Sequence, residues 1–212
     1  DDGASVSDYN VGVGRDALGG SLSGASNNTA IGYKAGEAIT DGNNNILVGG
    51  ASGLDLTGGG NNVLVGYKAG ANATQAGQNV VIGYNAGSGD NGDVAWTGDY
   101  NVIIGHDACQ DIEGNSSNHN TVVGFEGGTA ITSGAENALF GSKCGDSITT
   151  GNNNTLIGYN NDVSATDRSD TVIIGKDITS AGNSHARIGN GTNFTELNFS
   201  ASGNSWANTS DI

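Results

Sequence analysis

The residues with the most chemistry to offer sit in two insertions. Residues 88–100 contain Asp90, Asp93, Trp96, Asp99 and Tyr100. An exposed tryptophan beside carboxylates and amides can stack on a sugar ring and bond its hydroxyls. His119, in the second insertion, completes a candidate receptor-binding set of Asp90, Asp93, Trp96, Tyr100 and His119. The alternative for Trp96 is to pack back onto its own coil or against a neighbouring chain. Asp90, Asn91, Asp93 and Asp99 are also oxygen donors of the kind Ca²⁺ takes, although their spacing is not that of an EF-hand loop. Calcium is the one cofactor the sequence suggests, and His119 has no Cys or His neighbour to make it a metal ligand. Tyr33, Tyr67, Tyr84, His106, Phe125 and Tyr159 recur at one phase of a repeat, as a sugar-stacking strip or, on the stronger reading, as a structural ladder. Cys109 and Cys144 fall two coils apart in different columns, which predicts buried free thiols rather than a disulfide.

No catalytic residue is assigned. Nucleophile-elbow and phosphate-loop motifs are absent. The carboxylates are scattered without the close pair that glycoside hydrolysis needs. The expectation is a non-enzyme.

The elements that must position these residues come from a repeat. Segments such as NNTAIGYKAG, NNVLVGYKAG, QNVVIGYNAG and NNTLIGYNN align on a central glycine. The anchors are Gly14, Gly32, Gly49, Gly66, Gly83, Gly105, Gly124, Gly141, Gly158, Gly175 and Gly189, and 17 residues is the commonest step. A fixed period of this kind signals a solenoid. It predicts an all-β parallel β-solenoid of eleven coils, with a lead-in at 1–9, the repeat at 10–189 and a departing segment at 190–212. With coils stacked ~4.8 Å apart, the rod is roughly 50 Å long.

Each column has its own physics. The position before the anchor is apolar in every coil, and so is the position two before it in most: Leu47, Leu64, Val81, Ile103, Val122, Leu139, Leu156 and Ile173. A strand apolar on both faces is buried on both. The reading places these second residues on an outer face that a neighbouring chain must cover, and that points to a homotrimer. Asn10, Asn28, Asn45, Asn62, Asn79, Asn101, Asn120, Asn137 and Asn154 recur four before the anchor and predict an Asn ladder. A second apolar column seven after it (Ile39, Leu56, Ala73, Ile112, Ile131, Ile148, Ala165) predicts a second short strand per coil.

The composition fits a thin rod better than a round domain: 38 Gly and no Pro in 212 residues, 14% charged, net charge −15. That charge disfavours nucleic acid and anionic membranes, and no run approaches the ~20 apolar residues of a membrane span.

The Asn-x-x-apolar-Gly coil resembles the head repeats of trimeric autotransporter adhesins, and more closely the NTAIG-type repeats of phage tail fibres. The resemblance covers about residues 10–189. It implies a left-handed β-roll with three chains side by side. The closing Asn208-Thr209-Ser210-Asp211-Ile212 is similar to the junction with an endosialidase-type intramolecular chaperone, which implies maturation cleavage between Ser210 and Asp211. Together these imply the receptor-binding or distal region of a tail fibre on a virion, or an extracellular adhesin, attaching to a host surface glycan or protein. A chaperone domain beyond Ile212 would favour the fibre, and a coiled-coil stalk the adhesin. An ice-binding solenoid is the third reading, carried by a Thr column at Thr40, Thr57, Thr74, Thr132, Thr149 and Thr166 and, less well, by Thr29, Thr121, Thr155 and Thr171.

Overall fold

The computed structural model describes residues 7–89, 94–114, 116–180 and 182–199, and the backbone of 206–208. Eleven parallel strands stack in chain order, one per coil: β1 Val11–Val13, β2 Thr29–Ile31, β3 Ile46–Val48, β4 Val63–Val65, β5 Val80–Ile82, β6 Val102–Ile104, β7 Thr121–Val123, β8 Ala138–Phe140, β9 Thr155–Tyr159, β10 Val172–Lys176 and β11 His185–Asn190. Two antiparallel strands, β12 (Asn193–Asn198) and β13 (Trp206–Asn208), extend the same sheet. The fold is a parallel β-solenoid of eleven coils, and the pairing register matches anchor to anchor, for instance Gly158 with Gly175 and Gly175 with Gly189.

Why this sequence coils is visible in its dihedrals. The anchor glycines take φ between +129° and +159°. A Cβ there would collide with the carbonyl oxygen of the next anchor, from Gly14 against Gly32 through Gly175 against Gly189. Only glycine permits both the dihedral and the close approach. Further left-handed residues follow two and, in most coils, four positions after the anchor, and another stands five before it, at Asn27, Asn44, Asn61 and Gln78 for example. These tight bends close each coil.

The expected second strand is not formed in the described residues. Ile39, Leu56, Ile112, Ile131 and Ile148 are fully buried, but they lie in or beside turns. The coils there are joined by turn-type backbone bonds, such as those of Thr40, Asp41 and Gly42 N to Thr57 O at 3.0–3.3 Å, and by isolated bridges at Trp96 and Asp162. Left-handed residues placed so close together leave no extended run long enough for a strand.

The facing of the strands also corrects the sequence reading. Leu47, Leu64, Val81, Ile103, Val122, Leu139, Leu156 and Ile173 are 0–1% exposed and form the core of the coil. The outward residues are those one and three before the anchor. The narrow core fills from one residue per strand, from Ile39 and its column, and from small residues such as Ala35, Ala69, Ala86 and Ala108 at the bend. Burying each such Leu or Ile is worth about 1.5–3 kcal/mol.

The Asn column runs through the interior. In each successive coil the Asn Nδ2 donates to the Oδ1 of the preceding Asn at 2.9–3.3 Å, from Asn28 on Asn10 to Asn154 on Asn137. The same Nδ2 donates to a carbonyl of the next coil, for example Asn62 to Ala76 O at 2.8 Å, and each Oδ1 also accepts the backbone N–H of the following Asn. Every interior amide is satisfied on both sides, which is what permits its burial. Thr171 ends the ladder by donating its N–H to Asn154 Oδ1. It belongs to this column, not to the Thr29 column. At the far end Arg187 takes the core position, pairs with Glu196 at 2.9 Å and lies 4.2 Å over the Phe194 ring.

Candidate functional site

Two features stand out on the surface. The first is the outer strand face. Val11, Val13, Ile31, Ile46, Ile82, Phe140, Ile157, Ile174 and Ile188 are 37–55% exposed, and the intervening Val65, Ile104 and Val123 are half-buried. One apolar column, directly before the anchors, therefore runs the length of the stack, and the column two residues earlier is apolar except at Thr29, Thr121 and Thr155. Together they form a stripe roughly 50 Å long and on the order of 500 Å² in area. That is at the upper end of the largest apolar patch a soluble monomer normally shows.

The second is a ring column directly after the anchors. Tyr67 stacks on Tyr84 (centroids 5.3 Å apart), Tyr84 on His106 (5.0 Å), and His106 lies tilted on Phe125 (5.5 Å). Arg15 covers one face of Tyr33 at 4.5 Å and Lys176 approaches the ring of Tyr159 at 5.7 Å. The ring spacing follows the coil repeat, so within the ladder each ring hides its faces and shows its edge. Sugar stacking on those faces is open only where the column is broken.

Of the candidate receptor-binding residues, the structure describes Trp96, Tyr100 and His119. Trp96 is fully buried, with its backbone bridged to Ala73 and Gly114. It packs back onto its own coil, the alternative the sequence leaves open for it. The reason is volume: beside the insertion the neighbouring coil presents the small side chains of Ala73 and Ala76, and the insertion delivers an indole into the space, against Gly87 and Gly98. Tyr100 and His119 do meet, stacked at 5.0 Å and exposed. Asp90, Asn91 and Asp93 lie outside the described residues, as do Ser210 and Asp211. Asp99 accepts the Gly77 N–H at 2.6 Å and so helps lace neighbouring coils together. Among the described residues no group of three His, Cys, Asp or Glu side chains converges as a metal site.

Thr40, Thr57 and Thr132 direct their hydroxyls to carbonyls of the next coil at 3.0–3.4 Å. Cys109 and Cys144 are buried and free, and burial pushes both thiols up. The most displaced carboxyl is Asp146, pushed up to about 6 by burial and then by its hydrogen bond to Asp162 of the next coil.

These features define a β-solenoid with a solvent-facing apolar sheet and an edge-on ring ladder. Compared with known proteins, the chain matches no family model, no curated protein and no solved structure.

Proposed function

We propose that the chain is a structural and adhesive rod, the receptor-binding or distal region of a phage-type tail fibre, assembled as a homotrimer that attaches to a host cell surface. It works without catalysis. The observation that carries the reading is the continuous apolar strand face on a chain of net charge −15. Such a stripe is soluble when covered, and two further copies of the same rod present the same length, the same 4.8 Å-scale period and the same chemistry to cover it. The sequence resemblance to fibre repeats supports the same arrangement. Three parallel rods then offer each surface contact three times, and avidity makes weak contacts sufficient. A trimeric bacterial adhesin head is the nearest rival, since it uses the same assembly.

Sedimentation equilibrium of the chain at low micromolar concentration tests this. A mass three times that of the chain is expected. A stable monomer overturns the trimer, because the exposed Ile and Val columns would then persist in solution uncovered.

A further inference from the structure

The ring column has a gap at coil three. Its position after the anchor holds Tyr33 in coil two, Gly50 in coil three and Tyr67 in coil four, and the next position holds Lys34, Ala51 and Lys68. The backbone ladder is unbroken across it: Ala51 N donates to Tyr33 O at 2.8 Å and Lys68 N to Gly50 O at 2.9 Å. Only the side chains are missing, in both columns at once. Arg15 lies over the Tyr33 ring at 4.5 Å with Lys34 Nζ 5.8 Å from the same centroid, and Tyr84 covers one face of Tyr67. No ring of coil three stands between Tyr33 and Tyr67.

Glycine is not needed here by the fold. Gly50 lacks the left-handed φ of the neighbouring anchor, and a Cβ would meet the Tyr67 ring at 3.4 Å, an ordinary contact. The notch is two coil steps high, ~9.6 Å along the stack. The same two-step gap holds the Tyr84 ring between Tyr67 and His106, so the notch takes one six-membered ring. The rim then selects the kind of ring. The rim carries both signs: Lys34 is bridged to Glu37 at 2.8 Å, and Lys68 lines the adjoining cavity with Asp55 and Asn72. That mixed, polar rim suits an uncharged sugar with hydroxyls to bond, rather than an acidic one.

We propose that the notch between Tyr33 and Tyr67 over Gly50 is a binding site for a neutral hexose unit of a surface glycan. The inference rests on the attachment reading for the biological source of the sugar, and on geometry alone for the site. A comparable break at Ser142, between Phe125 and Tyr159, is narrowed by Lys143, which stays beside it bridged to Glu126 at 3.1 Å.

The test uses the intact chain on an array of glucose-, galactose- and mannose-terminated oligosaccharides, together with binding to a panel of bacterial cells. Gly50→Tyr restores the missing rung and is expected to fold with equal or higher Tm while losing neutral-glycan binding at least tenfold. Tyr33→Ala should lose it comparably. Glycan binding by Gly50→Tyr within twofold of the parent overturns the site. Cell binding without any neutral-hexose binding also overturns it, and leaves the attachment reading standing. Neutral-hexose binding lost in Gly50→Tyr, but with no cell surface bound, supports the notch and sinks the attachment reading.

Discussion

Asn62→Ala is the sharpest probe of what holds the rod together. The Asn62 side chain makes four bonds: Nδ2 donates to Asn45 Oδ1 (3.0 Å) and Ala76 O (2.8 Å), while Oδ1 accepts Asn79 N (3.0 Å) and Asn79 Nδ2 (3.3 Å). Asn45, Asn62 and Asn79 are 0–1% exposed, so water cannot replace the lost partners. At about 1 kcal/mol net per bond the loss is ~4 kcal/mol, and it rises if the Asn79 N–H is stranded. Asn10→Ala is the comparison at the open end of the ladder. Asn10 is only partly buried; it donates to Ala25 O at 2.7 Å, and its Oδ1 accepts Asn28 N (2.9 Å) and Asn28 Nδ2 (3.0 Å). Three bonds are lost, and that change should cost about 2–3 kcal/mol where water partly replaces them. Equilibrium denaturation gives the difference, and amide exchange gives its location. Because solenoid coils contact only their neighbours, protection should fall in coils three to five first. A cost below ~1 kcal/mol for Asn62→Ala would refute the claim that the ladder stabilises the stack.

Other outcomes follow from the same structure. Trp96→Ala empties the core of the insertion coil and should cost about 3–5 kcal/mol, with Trp96→Phe losing markedly less; thermal melts of both variants check this. Asp146 titrates near 6 in the folded chain against an ordinary 3.8. The folded state therefore binds more protons between about pH 4 and 6, and stability falls as pH rises through that window and is flat above it. Solvent screening of this half-exposed group limits the slope to about 1 kcal/mol in total, and Asp146→Asn should abolish it in denaturation series at pH 4.5 and 7. Ile82→Glu with Ile104→Glu places charge on the outer strand face, and should reduce the sedimentation mass to that of one chain while far-ultraviolet circular dichroism is unchanged.

The period, the strand positions and the Asn column were legible because each is a stacking constraint repeated in every coil. Gly66 meets Gly83 as Gly49 meets Gly66, and Asn62 reads Asn45 as Asn79 reads Asn62. A requirement imposed many times leaves a column in the sequence. What was not legible is whatever depends on which way a three-residue strand faces. Val63, Leu64 and Val65 are all apolar, so alternation gives no sign of the inner face. The backbone decides it: the bends before and after the strand aim Leu64 at the core and leave Val63 and Val65 outside.

This inversion changes the argument for self-association without removing it. Had Leu64, Val81 and Ile103 been the outward residues, a lone rod would have lacked a core as well as a cover. With those residues inside, each coil holds its own core, and a single chain can fold before it meets another. In the proposed trimer, assembly is then a docking step between preformed rods through the Val and Ile columns. The choice between the two places for Trp96 was not legible for a related reason. Insertions usually map to surface loops, but this one sits beside the small core residues Ala73 and Ala76, and the indole fills the volume those residues leave. The Gly50 notch was hidden by the opposite effect. A missing side chain makes no motif, and it becomes visible only when the rings of coils two and four are seen to line up on either side of it.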